Sequence, residues 1–203
     1  MTGTPDIIDA LAGITPGSVL DELRAHRLDV RDNAQQSYLA LFEPDDDAGF
    51  SIPERFLIAA FVVGLHGESA ASEFYRAELG ARATAETTEA IGSEIDRGST
   101  SGPYGTYREP GLAQESRPGP AFRISDPGRQ TFGDRISAGL EHAHHLVFHP
   151  RDSRPELLDQ LLRAGWTTTQ IVTLSQEVAF LTFQIRVVHG LRQLADKRKV
   201  SAV

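Results

Sequence analysis

The chain has no cysteine among its 203 residues. This absence excludes disulfides, thiolate zinc sites, iron–sulfur clusters and catalysis by a thiol. Long apolar stretches are also lacking, since the longest runs from Phe56 to Leu65, about half of the roughly 20 residues that a membrane helix needs. The first ten residues, MTGTPDIIDA, lack the basic and then apolar pattern of a signal peptide. We therefore expect a cytoplasmic protein that has no membrane partner.

Positive charge is scarce as well. The 20 lysines and arginines stand against 28 aspartates and glutamates, which gives a net charge of -8 and an isoelectric point near 5.3. A polyanion would meet net repulsion, so no nucleic-acid partner is expected. A content of 40% hydrophobic and 24% charged residues is typical of globular domains, and the length suits one domain with a buried core.

Apolar residues recur at helical spacing, and no segment alternates with the period of a strand, so the sequence predicts an all-α fold. Thr4 and Thr15 each place a capping hydroxyl before a proline suited to a first helical turn, and a short helix is expected after each. A third helix is predicted over residues 29–42, and it ends before an acidic turn.

The middle of the chain begins with a buried helix. Ser51 and Glu54 have the spacing of a capping box in front of FLIAAFVVGL, whose apolar residues on all sides indicate a core helix that Gly64 and Gly67 break. Helices over about 68–79, ended by a left-handed glycine at position 80, and over 84–95 are predicted to follow.

Residues 97–130 hold six of the 18 glycines and five of the 11 prolines, so neither helix nor sheet is expected to propagate through them. Such a loop is either a functional lid, a subunit-wrapping arm or disordered. Its aromatic residues Tyr104, Tyr107 and Phe122 favour packing onto a neighbouring surface, with disorder as the alternative.

The last third is predicted to be helical again, starting with a helix near 132–148. Two capping boxes follow, and the second opens a long closing helix with a basic end. They are Ser153 with Glu156, in a helix ended by Gly165, and Thr167 with Gln170.

Two parts of the chain share a pattern with a known family. Residues 52–65, IPERFLIAAFVVGL, look like a glutamate-bearing core helix, and residues 162–172 and 179–191 look like a closing helix pair. The closing helix also matches the family at five positions, where the family commonly has a phenylalanine, an arginine, an aliphatic residue, a glycine and a leucine. These positions are Phe183, Arg186, Val187, Gly190 and Leu191. Over roughly 50–80 and 131–195 the chain thus resembles the carboxymuconolactone decarboxylase and alkylhydroperoxidase AhpD-like family.

The resemblance implies a single AhpD-like helical bundle that assembles into homotrimers or homohexamers. Its parts would be an N-terminal helical extension (1–50), core helices (51–96), the Gly/Pro-rich loop (97–130) and closing helices (131–203).

The redox members of that family carry a glutamate, a Cys-x-x-Cys pair and a histidine. Glu54 matches the glutamate, but the cysteines fall on His66 and Ser69 and the histidine falls on Glu73. A serine hydroxyl cannot replace a thiolate that attacks a peroxide. The resemblance therefore implies non-redox acid–base chemistry, of the decarboxylation or isomerisation type, on a small organic acid.

The family geometry would bring Glu54, His66, Ser69 and Glu73 to one catalytic site. Glu54 would be the base or an orienting partner and His66 the proton shuttle, because an imidazole titrates near neutrality. In the structural alternative, Ser69 helps to start a helix, His66 fills a turn and Glu73 is a solvated charge.

Three further residues are candidates for substrate binding. The planar guanidinium of Arg186 suits a substrate carboxylate, although an ion pair with Glu54 would explain both residues equally well. His189 would reach the same pocket unless it is an ordinary core residue, and Tyr107 would close over the pocket as part of the loop.

A histidine cluster gives a third interpretation. His142, His145 and His149 lie on one face of the predicted helix, and His145 and His149 have the i, i+4 spacing of metal ligands. A divalent metal such as zinc, iron or nickel is therefore the one cofactor that the sequence suggests. Alternatively, these residues complement the negative end of the helix.

The sequence thus leaves three functions open. The first is an acid–base enzyme with a small-molecule substrate, the second a catalytically silent scaffold or partner subunit, and the third a metal-dependent enzyme.

Overall fold

The computed structural model describes the backbone of residues 5–201 and the side chains through residue 197. Within this range the protein is mostly helical and has no β-strand, which confirms the all-α prediction. The helices are α1 (Ile7–Ala12), α2 (Val19–Ala25), α3 (Leu28–Phe42), α4 (Ile52–His66), α5 (Ser69–Gly80), α6 (Ala85–Gly98), α7 (Asp126–Phe148), α8 (Pro155–Arg163) and α9 (Thr168–Ser201), with short 3₁₀ helices at Pro110–Glu115 and Pro150–Asp152.

Helix α4 is the centre of the fold. It packs against α5, α6, α7 and α9, and its side chains from Arg55 to Val63 are all buried. An apolar surface on every side, as the sequence shows here, is stable only when neighbours cover all of it. The prediction of a buried core helix is therefore confirmed.

Local capping signals fix several helix ends. Ser51 and Glu54 form the predicted capping box, and Gly67 ends α4 in the left-handed conformation. Thr167 and Gln170 form the box in front of α9, with each side chain accepting from the other residue's backbone N–H.

Other predicted ends are wrong. Thr4 lies outside the described residues, and Ser18 rather than Thr15 caps α2. Gly80 is the last helical residue of α5 and does not adopt the left-handed conformation. The box at Ser153 and Glu156 does not form, because Arg154 precedes α8 without a side-chain cap.

Gly64 does not break α4 either, since the helix continues to His66. A Cβ at Gly64 would lie 2.6 Å from Cδ1 of Ile95. Glycine at this position therefore permits the close approach of α6 rather than ending the helix.

The Gly/Pro-rich loop is shorter than predicted, because α6 extends to Gly98 and α7 begins at Asp126. We call residues 99–125 the strap. Its backbone is held by hydrogen bonds from Tyr104 N to Phe148 O (2.6 Å) and between Gly105 and Arg117. Phe122 stacks on His144, with ring centroids 4.4 Å apart. Through these contacts the strap packs against α7.

The N-terminal extension is tied together by ion pairs. Arg24 of α2 binds Asp6 and Asp9 at the start of α1, and Arg31 of α3 binds Asp9 and Asp21. This network links the first three helices, while the apolar residues of α1 and α3 join the core.

Helix α9 is long and apolar enough, by length and composition, to cross a membrane. Half of its apolar window is buried inside the fold, a property that it shares with the core helices of globular proteins. It also carries Glu177 and Gln184, both fully buried.

Candidate functional site

The predicted cluster around Glu54 and His66 does not form. The two residues lie near opposite ends of the continuous helix α4, where a separation of 12 residues corresponds to about 18 Å. The carboxylate of Glu54 closes the capping box and accepts a 2.5 Å hydrogen bond from Arg135 of α7. Glu54 therefore has a structural partner, which is Arg135 rather than the predicted Arg186.

The other members of the predicted site are dispersed. Ser69 and Glu73 lie on the exposed face of α5, which agrees with their structural interpretation. His66 is half-buried, with Nε2 3.4 Å from Thr182 Oγ1, and burial followed by the charge of Arg186 lowers its pKa. Arg186 itself is exposed on α9.

His189 is also exposed on α9, so it does not reach an interior pocket. The predicted substrate-binding group of Arg186, His189 and Tyr107 is not assembled, because Tyr107 belongs to the strap and lies against α7 and the turn that follows it.

A different cavity brings together several of the remaining candidates. It has a volume of about 920 Å³ and lies between the strap, α7 and α8. Tyr107 and all four histidines of the sequence cluster line it: His142, His144, His145 and His149. We call this cavity the histidine–arginine pocket.

Two of these histidines are buried in the pocket wall. Burial lowers the pKa of both His142 and His144 to about 4. His144 Nε2 donates to Gly98 O at 2.9 Å, and its ring stacks on Phe122 of the strap. His142 Nε2 lies 3.4 Å from Ser175 Oγ of α9. Both imidazoles are neutral near pH 7 and hold the wall together.

The other two histidines are more accessible and form a pair. The rings of His145 and His149 are stacked, with centroids 5.9 Å apart. His145 Nε2 lies 3.5 Å from Ser153 Oγ. Burial, and then the neighbouring His149, lower the pKa of His145. His145 is therefore a neutral imidazole that can accept a proton at neutral pH.

His149 lies between two acceptors. Its Nδ1 is 3.2 Å from Asp152 Oδ2, and its Nε2 is 3.1 Å from Pro120 O. The carboxylate and the carbonyl are both acceptors, so a ring nitrogen that carries hydrogen has an acceptor beside it on either side. Although burial opposes it, hydrogen bonds from the Thr106 backbone N–H and from His149 lower the pKa of Asp152.

The predicted metal triad is not assembled. His142 lies against α9, whereas His149 is hydrogen-bonded to Asp152 and Pro120. Across residues 5–197, no group of three or more histidine, aspartate or glutamate side chains is arranged to hold a metal ion.

Arginine is the feature of the pocket that sequence analysis missed. Six arginines line it against three carboxylates, although the whole chain is acidic: Arg108, Arg123, Arg129, Arg151, Arg154 and Arg163 against Asp134, Glu141 and Asp152. These residues come from the strap, α7, the following turn and α8, so no local motif marks them. Only the fold brings them together.

Arg151 is held in place by two tyrosines of the strap. Its Nη1 donates to Tyr104 O at 3.2 Å, its Nη2 donates to the Tyr107 hydroxyl at 2.5 Å, and its guanidinium lies 4.1 Å from the centroid of the Tyr107 ring. Arg123 and Arg129, in contrast, are both paired with Glu141.

The fold and the site together define an all-α protein with a basic pocket that contains two adjacent, partly accessible imidazoles. No protein-family model, curated protein or solved structure matches the chain. The resemblance to the AhpD-like family therefore stays a prediction, and the pocket's geometry is the basis for its function.

Proposed function

We propose that the protein is an enzyme that carries out non-redox acid–base chemistry on a small organic anion bound in the histidine–arginine pocket. One observation carries this proposal: His145, the His149–Asp152 pair and Arg151 line the same cavity. Neutral imidazoles next to cationic side chains suit the removal of a proton from carbon beside a carboxylate, or the loss of CO₂ from such an acid.

His145 is the proposed general base. Its lowered pKa keeps the ring unprotonated at neutral pH, and its position beside the cavity leaves it within reach of a bound ligand. Asp152 orients His149, whose ring stacks on that of His145 beside the cavity.

Arg151 is the proposed anchor for the substrate anion. Two of its five N–H donors are used by Tyr104 and Tyr107, and the Tyr107 ring fixes the plane of the guanidinium. A guanidinium held in this way loses little conformational freedom when it binds a carboxylate. Tyr107, which lines the cavity, would act at the proposed site through Arg151.

The proposal can be tested without knowledge of the substrate. The wild-type protein is incubated in D₂O with a panel of 2-oxo and 3-oxo acids, and NMR follows deuterium incorporation beside the carboxylate or carbonyl and the loss of CO₂. We expect catalysis of at least one acid, with the acid limb of its pH profile below pH 6.5, because the pKa of His145 is lowered.

His145→Gln should remove this activity, since the amide cannot accept the proton. The matched control is His189→Gln, because His189 is exposed on α9 outside the pocket. Equal rates for the His145→Gln variant and the wild type would exclude His145 as the base. A panel with no exchange and no decarboxylation would count against the proposed chemistry.

The family resemblance is part of the same proposal. The two matching stretches fold into α4 and the end of α8 with α9, and the family's thiol positions hold His66 and Ser69, which agrees with non-redox chemistry. The site, however, is the histidine–arginine pocket and not the family's position near Glu54.

A second candidate function is assembly, as a scaffold or partner subunit. Val172, Phe183 and Leu194 of α9 are 51%, 40% and 39% exposed. They are spaced 11 residues apart, so each side chain is rotated about the helix axis by only about 20° relative to the one before it. The three therefore lie along one side of α9 as an apolar stripe. Such a stripe on a surface helix favours contact with another protein surface, such as the predicted homo-oligomer.

Light scattering coupled to gel filtration tests this second function. We expect the wild type to be oligomeric and Phe183→Glu to shift it towards monomer, because a carboxylate would be buried in the contact. Arg192→Glu, on the opposite side of α9, is the control for added negative charge. A monomeric wild type would contradict the assembly function.

A further inference from the structure

We propose that the histidine–arginine pocket selects small molecules with two negative charges, a dicarboxylate or a phosphate monoester, over singly charged anions. This inference rests on the proposed function, because it names the class of substrate for the same site. It comes from the distribution of charge among the residues that line the cavity, which differs between its parts.

Part of the pocket is already neutralised. Glu141 accepts hydrogen bonds from Arg123 and Arg129 at 2.5 and 2.8 Å, and Asp134 accepts a second bond from Arg129 at 2.9 Å. Two guanidinium groups and two carboxylates balance each other there. This part offers little attraction for an additional anion.

The remaining charge is unbalanced. Asp152, the third carboxylate of the lining, is occupied by His149 and by the backbone N–H of Thr106. Within residues 5–197 the side chain of Arg151 donates to uncharged groups alone. In the same range the side chains of Arg108 and Arg163 make no hydrogen bond or ion pair, and the side chain of Arg154 has a 4.0 Å contact with Glu156, a pair that is largely exposed.

This excess of cations is unusual in a chain with a net charge of -8. A single carboxylate engages one guanidinium through two parallel hydrogen bonds and leaves the other cations without a partner. A second negative charge on the same ligand interacts with those cations, and because Arg108, Arg154 and Arg163 are exposed, salt screens this attraction. The ligand that complements the pocket therefore carries two charges.

Matched pairs of probes that differ by one charge test this inference. Succinate is compared with its monoamide, succinamate, and phenyl phosphate is compared with phenyl sulfate, which has nearly the same shape. Binding is measured by isothermal titration calorimetry at pH 7.5 and low ionic strength. We expect the dianion of at least one pair to bind about tenfold more tightly or better, with a preference that decreases as salt is added.

The pair that shows the preference identifies the source of the charge. A preference confined to succinate indicates a dicarboxylate, and one confined to phenyl phosphate indicates a phosphate monoester. Both results support the inference. Dissociation constants that agree within about twofold for both pairs would overturn it.

Variants locate the effect in the pocket. Arg151→Gln should reduce the preference towards unity, and Arg163→Gln, at an exposed position where the fold tolerates the change, should reduce it separately. Arg27→Gln is the matched control, because Arg27 is exposed at the start of α3 and pairs with Asp29. If both pocket variants keep the full preference of the wild type, the inference is wrong.

The outcomes also separate this inference from the proposed function. Exchange or decarboxylation of a singly charged acid, with no preference for dianions, would leave the enzyme function intact and remove the selectivity. Absence of both binding and catalysis would remove both.

Discussion

Glu177 of α9 is a fully buried carboxyl group whose removal should change the pH dependence of stability. Neither carboxyl oxygen has a hydrogen-bond partner within residues 5–197. The guanidinium of Arg55 attracts it from a distance but donates to three backbone carbonyls, those of Phe50, Leu41 and Asp47. Burial outweighs this attraction and raises the pKa of Glu177 well above 4.5. The native protein therefore keeps the proton of this carboxyl at pH values where the unfolded chain has already released it.

The sign of the effect follows from proton linkage. Above pH 4.5 the unfolded chain releases the proton of Glu177 while the native state retains it, so the free energy of unfolding falls as the pH rises. The slope is about 1.4 kcal/mol per pH unit for as long as the native carboxyl stays protonated. Between pH 4.5 and 7.5 the loss would reach about 4 kcal/mol if the group remained protonated throughout.

Glu177→Gln removes this titration while nearly preserving volume. We expect the variant to be more stable than the wild type at pH 7.5, with a difference that shrinks towards zero as the pH approaches 4.5. Urea unfolding at half-unit steps from pH 5 to 8 measures the difference. Glu73→Gln, at an exposed position of α5, is the control.

The pH dependence of the difference is the decisive quantity, because contributions from other titrating groups cancel in it when they are unchanged. A difference that stays constant across this range would show that Glu177 has the same protonation in the native and unfolded states. That result would refute the conclusion drawn from its burial.

Three further predictions concern the core and its pH response. Gly139→Ala should lower the free energy of unfolding, measured by denaturant titration, by about 1–3 kcal/mol, because its Cβ would lie 2.6 Å from Cζ2 of the buried Trp166. Gly190→Ala, where the Cβ would enter open space on α9, should raise the same free energy by roughly 0.5–1 kcal/mol. As the pH falls from 6.5 to 4, the histidine at position 144 takes up a proton in the unfolded chain before it does in the native protein, so the free energy of unfolding falls by about 1.4 kcal/mol per pH unit. His144→Gln should remove this part of the pH dependence. Acid unfolding curves identical to those of the wild type would contradict this. Glu54→Gln should cost about 0.5–2 kcal/mol through the weakened capping box and ion pair but leave any pocket activity unchanged, as thermal unfolding and the D₂O assay would show.

Much of the helical architecture could be predicted because its signals are local. The capping box of Ser51 and Glu54 depends on four adjacent residues, and the same holds for Thr167 with Gln170. Predictions failed where a nearby residue competed for the same role. Ser18 displaced Thr15 as the cap of α2, and Ser153, predicted to cap α8, instead lies beside His145.

The pocket could be predicted only in part. The histidines are close together in the sequence and were identified as a group, but spacing on a helix does not show which ring faces a cavity and which faces the core. His144, which was not among the predicted metal ligands, lines the pocket wall next to His145. The arginines extend from Arg108 to Arg163, and the net charge of the chain conceals them because the acidic residues lie elsewhere.

The failure of the Glu54 and His66 site has one physical cause. The prediction relied on a break in the helix at Gly64 and Gly67, because a continuous helix cannot bring together two residues 12 positions apart. Glycine is compatible with a break, but it is equally compatible with a close contact between helices, and the sequence alone does not distinguish these two uses. Here Ile95 of α6 packs where a Cβ would lie, so Gly64 stays helical and the left-handed residue that ends α4 is Gly67. The partner that decides the role of this glycine is 31 residues away in the sequence. A candidate site therefore has to be sought where the fold, and not the local pattern, brings the reactive side chains together.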